Sequence, residues 1–117
     1  MPYFVEDTKD VTIYKVVGFF SFQDMEGLTE AFDSLVEANS QARILMDFSS
    51  QTGYEEATIK SAFRRIDKGL PSGILIAIVF EGKGTVYNHI LGLIAKAMPQ
   101  NAKFFDGRIK ALKWLQG

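Results

Sequence analysis

The sequence predicts an α/β fold: a mixed β-sheet of about five strands with four helices, in the order β-β-α-β-α-β-α-β-α. Three observations carry this prediction. Near the start, Tyr3-Phe4-Val5 and Val11-Thr12-Ile13-Tyr14-Lys15-Val16-Val17 flank the polar turn Glu6-Asp7-Thr8-Lys9-Asp10, the pattern of a hairpin. Further along, short apolar runs alternate with stretches whose apolar residues recur at three and four, so strands alternate with helices long enough to cross between parallel neighbours. Finally, Ile74-Leu75-Ile76-Ala77-Ile78-Val79-Phe80 is seven apolar residues in a row between turn signals, as in a central strand covered on both faces. The hairpin makes the sheet mixed. There is no linker, low-complexity tract or repeat, so residues 1–117 read as one domain.

The elements follow in order. After the hairpin and Gly18-Phe19-Phe20, Ser21 is placed to cap a helix, with Asp24 at the capping-box position. Met25, Leu28, Phe32, Leu35 and Val36 form its apolar stripe, and the helix ends near Asn39-Ser40. Ile44-Leu45-Met46 with Phe48 reads as a short buried strand ending in Asp47-Phe48-Ser49-Ser50. A second helix is expected from Thr52, with Thr52 and Glu55 as its capping box and Ile59, Ala62, Phe63 and Ile66 facing inward, ended by Gly69 and Pro71. After the central strand and Glu81-Gly82-Lys83-Gly84, a third helix runs from Thr85 to Met98, stopped by Pro99. Ala102-Lys103-Phe104-Phe105 is the last strand, and Asp106 is expected to cap a final helix with Ile109, Leu112 and Leu115 inward.

Composition excludes several function classes. The chain has no Cys and one His, which removes disulfide scaffolds, Cys-ligated zinc or iron–sulfur sites and multi-histidine metal sites. Thirteen Lys+Arg against fourteen Asp+Glu leave a net charge of −1, which offers no electrostatic footprint for nucleic acid. No segment approaches the roughly 20 apolar residues of a membrane span, and no basic-then-apolar signal opens the chain. The expectation is a soluble cytoplasmic domain.

With the elements placed, the chain resembles a STAS domain, and more narrowly the SpoIIAA-like group. The resemblance rests on the hairpin, on Gly18, on the strand Ile44-Leu45-Met46-Asp47-Phe48-Ser49 and on the apolar fourth strand. It rests most on the ending: His89-Ile90-Leu91-Gly92-Leu93-Ile94-Ala95-Lys96-Ala97-Met98-Pro99, then Lys103-Phe104-Phe105, then Ala111-Leu112-Lys113-Trp114-Leu115. STAS domains include anti-sigma-factor antagonists and the cytoplasmic tails of sulphate transporters, so the resemblance implies a non-enzymatic domain that works by binding a protein partner. In phosphoregulated members a Ser at the start of the second helix carries a phosphate, adding about −1.5 to −2 units of charge that block binding. The matching text here is Ser50-Gln51-Thr52-Gly53, which puts Gln51 at the acceptor position; counting from Asp47 instead reaches Glu55-Glu56. Neither alignment supplies the serine, which leaves Ser49, Ser50 or Thr52 as acceptors out of register.

In α/β sheets ligands gather at the carboxyl ends of the strands, which brings forward the loops at residues 18–21, 49–53 and 81–84. The partner-binding or switch loop is accordingly read as Asp47, Ser49, Ser50, Thr52, Gly53, Tyr54 and Glu55. A Ser49 or Ser50 nucleophile with His89 and Asp47 would make a hydrolase, but the G-x-S-x-G elbow is missing and His89 belongs to a helix. Asp47 with Glu55 or Glu56 has the oxygen donors of a Mg²⁺ site, yet a carboxylate at a strand end is common without metal, so no metal, cofactor or catalytic residue is assigned. Gly82, Lys83, Gly84 and Thr85 stand where a backbone cradle would bind an anion such as a nucleotide phosphate, without the Walker order; some STAS proteins are described as nucleotide binders.

Two apolar features are left over. Helix three is apolar nearly all round, and Phe19, Phe20 and Phe22 crowd a loop at the ligand-bearing end of the sheet. Together with Tyr87 and Leu91 these aromatics offer a homodimer face or a pocket for a small apolar, lipid-like ligand. SpoIIAA-like folds resemble lipid-exchange domains of the CRAL-TRIO type, which makes a lipid carrier or sensor the alternative to partner binding. His89, the only imidazole, reads as a structural helical residue.

Overall fold

The computed structural model describes residues 3–8, 10–54, 73–79 and 101–117. Its five strands form one sheet in the order β1-β2-β3-β4-β5: β1 Tyr3–Asp7, β2 Thr12–Phe20, β3 Arg43–Tyr54, β4 Leu75–Val79 and β5 Ala102–Phe105. The hairpin is antiparallel, with Tyr3 opposite Val16 and Asp7 opposite Thr12, and every other pair is parallel. The hairpin turn is closed by Thr8, whose hydroxyl donates to the Val11 carbonyl at 2.7 Å while the Val11 N–H donates back at 3.1 Å. Two helices lie among the described residues, α1 Phe22–Ala38 and α2 Arg108–Gln116.

Because successive side chains of a strand point to opposite faces, the sheet divides the core in two. On one face Tyr14, Val16, Ile44 and Ile76 pack with Leu28 and Phe32 of α1. On the other, Val11, Ile13, Leu45, Ala77 and Val79 pack with Ala111 and Leu115 of α2. A strand with a helix-covered core on each side has no polar face to show, which is why β4 is an unbroken apolar run.

Helix α1 starts as its sequence dictates. Ser21 Oγ accepts the Asp24 N–H at 3.1 Å, and the Asp24 carboxylate accepts the Ser21 N–H at 3.0 Å, so two otherwise orphaned donors are satisfied reciprocally. Asn39 closes the helix, its N–H donating to the Leu35 carbonyl at 2.9 Å. Ser21→Ala is expected to cost about 1 kcal/mol, read as a lower urea midpoint with an unchanged slope. Gly73, just before β4, is required by packing: a Cβ there would strike the Ser40 carbonyl oxygen and lie 2.7 Å from Gln41 Nε2.

Several expectations are corrected. Residues 49–54 are not a loop opening a second helix at Thr52; they continue β3, which pairs with the end of β2, so Thr52 does not start a helix, and Glu55 lies outside the described residues. Residues 18–20 are likewise strand, not loop. The described elements run β-β-α-β-β-β-α and include the first and last of the four expected helices; the remainder of the second and all of the third lie outside the described residues. Helix α2 is capped by Gly107 rather than Asp106, whose carboxylate instead lies 3.5 Å from Lys110 Nζ. Its inward face is Ala111 and Leu115 with half-buried Leu112, whereas Ile109 is 75% exposed. The rotation is set by Arg108, which must face the sheet to reach its partner there; Ile109, one residue on and about 100° around the helix, is thereby turned to solvent.

Candidate functional site

The structure brings together two groups of residues that the sequence only suggested separately. Val79 of β4 lies opposite Asp47, and beyond Asp47 the pairing of β3 with β2 continues. Val17 pairs with Ser50, Gly18 with Gln51, Phe19 with Gly53 and Phe20 with Tyr54. The phenylalanine run and the switch segment are therefore partner strands of one extension. Two register shifts interrupt the pairing, between Lys15 and Val17 and between Gly18 and Phe19, each placing one extra residue in β3. Gly18 adopts φ +78, a conformation that L side chains avoid, at the second of these irregularities.

Side chains along this extension are unusually apolar for a surface. Phe19 is 56% exposed and Val17 39%, and Phe4 on β1, opposite Lys15 in the hairpin register, is 57% exposed. Phe4, Lys15 and Val17 share the sheet face that also carries Ile13, Leu45 and α2. Phe22, by contrast, is half-buried at the start of α1. Thr52 is exposed, while Ser49 and Ser50 are half-buried. Glu55, Tyr87, Leu91, His89 and the predicted anion-site residues Gly82, Lys83, Gly84 and Thr85 lie outside the described residues.

Asp47 is the buried charge of the described structure, and its carboxylate is fully engaged. Oδ1 accepts the Ser49 N–H at 2.9 Å and the Ser49 hydroxyl at 2.6 Å. Oδ2 accepts from Arg108 Nη2 at 2.7 Å and Nε at 3.2 Å. Burial pushes the Asp47 carboxyl up, but the bonds from Ser49 and the Arg108 guanidinium outweigh it and hold the group below the usual carboxylate range. The Asp47 side chain is 5% exposed and that of Arg108 35%, so one partner is dry and the other half-solvated.

This arrangement has chemical consequences. A carboxylate with both oxygens occupied and a lowered pKa is a poor general base and has no free lone-pair direction for a metal. Among the described residues no three His, Asp or Glu side chains gather as metal ligands, and no helix is long and apolar enough to cross a membrane. Sequence reasoning found Asp47 and Ser49 but missed Arg108. The available signal was a charged residue inside an otherwise buried strand, which requires a counter-charge without saying where along the chain it lies.

The sequence matches no family model and none of the curated proteins. By structure the chain is similar to an anti-sigma factor antagonist from Mycobacterium paratuberculosis, with a TM-score of 0.73 at 18% identity over 98% of this chain and 93% of that one. It is also similar to the anti-sigma factor antagonist SpoIIAA in its unphosphorylated form, with a TM-score of 0.71 at 8% identity over 98% of each chain. A third likeness is to an uncharacterized protein of the DUF3478 family with a SpoIIAA-like fold from Shewanella loihica PV-4, with a TM-score of 0.67 at 20% identity over 97% of this chain and 91% of that one. The fold is thus SpoIIAA-like, a STAS-type α/β architecture on a five-stranded mixed sheet.

Proposed function

We propose that this SpoIIAA-like chain is a non-catalytic, cytoplasmic regulatory domain that acts through protein–protein contact, with the β2–β3 extension around Phe19 as its contact surface. The observation that carries this reading is the exposure of Phe4, Val17 and Phe19 along the hairpin and the extension. Large side chains left in water beside one another are characteristic of surfaces that are covered by a partner, and aromatic anchors supply much of the binding energy in such contacts. Two of the structural neighbours bear the name anti-sigma factor antagonist, an action exerted on another protein. The engaged state of Asp47 favours a non-catalytic reading of its segment.

In this reading phosphate control falls on Thr52 rather than Ser49. The Ser49 oxygen lies 2.6 Å from the Asp47 carboxylate, so a phosphate there would be pressed against a buried negative charge. Thr52 is exposed and can carry the charge into solvent.

The test is Phe19→Asp. The variant is expected to keep its folding stability within about 0.5 kcal/mol, because the position is solvated. Crosslinked affinity capture from source-cell extract, quantified against wild type, should show at least one protein reduced by about tenfold or more. Equal recovery of every protein would remove the extension as the contact surface. A lipid that co-purifies with wild type but not with the variant, seen by native mass spectrometry, would replace the protein partner with a small apolar ligand. A dimer in light scattering that dissociates in the variant would make a second copy the partner.

A further inference from the structure

We infer that α2 is a hinged cover that opens from the sheet as a unit while the rest of the fold stays closed, with the Asp47–Arg108 ion pair as its latch. Four observations lead there. The helix has nine residues, fewer than the roughly 12–15 an isolated helix needs to persist in water, so its order depends on being docked. Its start has no side-chain cap at Gly107 and no acidic residue in the first turn, and Arg108 puts a positive charge at the positive end of the helix dipole. The Asp106–Lys110 pair across the start, at 3.5 Å, is exposed and contributes little. The bonds from Arg108 to Asp47 at 2.7 and 3.2 Å therefore compensate a helix start that its own sequence disfavours.

Among the described residues, the remaining hold is separable from the other core. Ala111 and Leu115 are the buried residues of α2, with Leu112 and Trp114 partly buried beside them, and the Trp114 ring lies 5.6 Å from that of Phe105. The core between α1 and the sheet includes no residue of α2, and the β2–β3–β4–β5 ladder forms without it. A hinge is present as well. Asp106 and Gly107 link β5 to α2 outside regular structure, and a Cβ on Gly107 would meet nothing within 4 Å. Among the described residues, lifting α2 breaks the Arg108–Asp47 pair and the packing of Ala111, Leu112, Trp114 and Leu115, leaves the core under α1 in place, and uncovers the strip Val11, Ile13, Leu45, Ala77 and Val79.

Native-state hydrogen exchange at low denaturant tests this on the full chain. The amides of residues 111–116 are expected to exchange through an opening of lower free energy than those of β2, β3 and β4, with a shallow denaturant dependence that joins the sheet amides only near the unfolding transition. Asp47→Asn is expected to accelerate α2 exchange by roughly tenfold or more, since the latch is absent from the opened state as well as the unfolded one. Arg108→Gln, at a half-solvated position, should do the same and serves where the Asp47 variant fails to fold. The chain's single tryptophan, Trp114, gives an independent reading: its emission should shift at lower denaturant than the far-UV signal in the variants. Helix amides that share the free energy and slope of the sheet amides in wild type would overturn the hinged cover. Unchanged α2 exchange in the folded variants would overturn the latch.

Discussion

Asp47→Asn is expected to lower the folding free energy by about 2 kcal/mol at neutral pH, and the gap between variant and wild type is expected to close in acid. The size follows from what is lost. Asparagine can still accept from the Ser49 N–H, but Arg108 loses its charged partner, and the half-exposed guanidinium recovers part of the loss by hydration. The pH dependence follows from the direction of the Asp47 shift. Its folded-state pKa is lowered, so the unfolded chain binds the proton more readily than the folded one, and stability rises with pH through that range. The contribution is complete above the ordinary Asp value of about 4 and falls away as pH drops through the lower folded value. Urea titrations of both proteins from pH 7 to pH 2 should show a constant difference above about pH 5 that shrinks below 4. A difference that stayed constant to pH 2 would mean that the charge on Asp47 contributes nothing.

Leu45→Ala and Ile44→Ala are expected to produce the largest losses of any single truncations in β3, about 2–5 kcal/mol each. Both side chains are fully buried, one on each face of the same strand. That loss is a large share of the roughly 5–15 kcal/mol that holds a domain folded. Leu45→Ala should lie nearer the upper end. Two of its cluster neighbours, Ala77 and Ala111, are too small to move into the space left, so the cavity persists. Ile44 is grouped with Leu28 and Phe32 of α1, longer side chains able to relax toward the gap. Urea midpoints with unchanged slopes measure both, and losses below 1 kcal/mol at either position would contradict the close packing.

Much of the architecture was legible because its signals act over a few residues. Thr8 and its neighbours close the hairpin, Ser21 and Asp24 start α1, and Ile74 to Val79 announce a doubly covered strand, each through local chemistry. The reading failed at Thr52 for a definable reason. A Thr three residues before a Glu looks the same whether it caps a helix or ends a strand, and here pairing with Phe19 and Phe20 across the sheet prevails. The same pairing turned two suspected loops into one apolar extension. Ile109 was misplaced because the apolar spacing of α2 allows more than one rotation.

The sequence by itself determined that this is a mixed α/β sheet with a hairpin start and a central strand covered on both faces, and that Asp47 stands toward the carboxyl end of a strand. Period, caps and turn chemistry are written within four or so neighbouring residues, so no knowledge of the fold is needed to read them. Only the tertiary structure decided that Asp47 is answered by Arg108, 61 residues away, and that Phe19 and Val17 are both exposed. Strand register and helix rotation set those contacts, and both are products of the whole packing rather than of any local stretch.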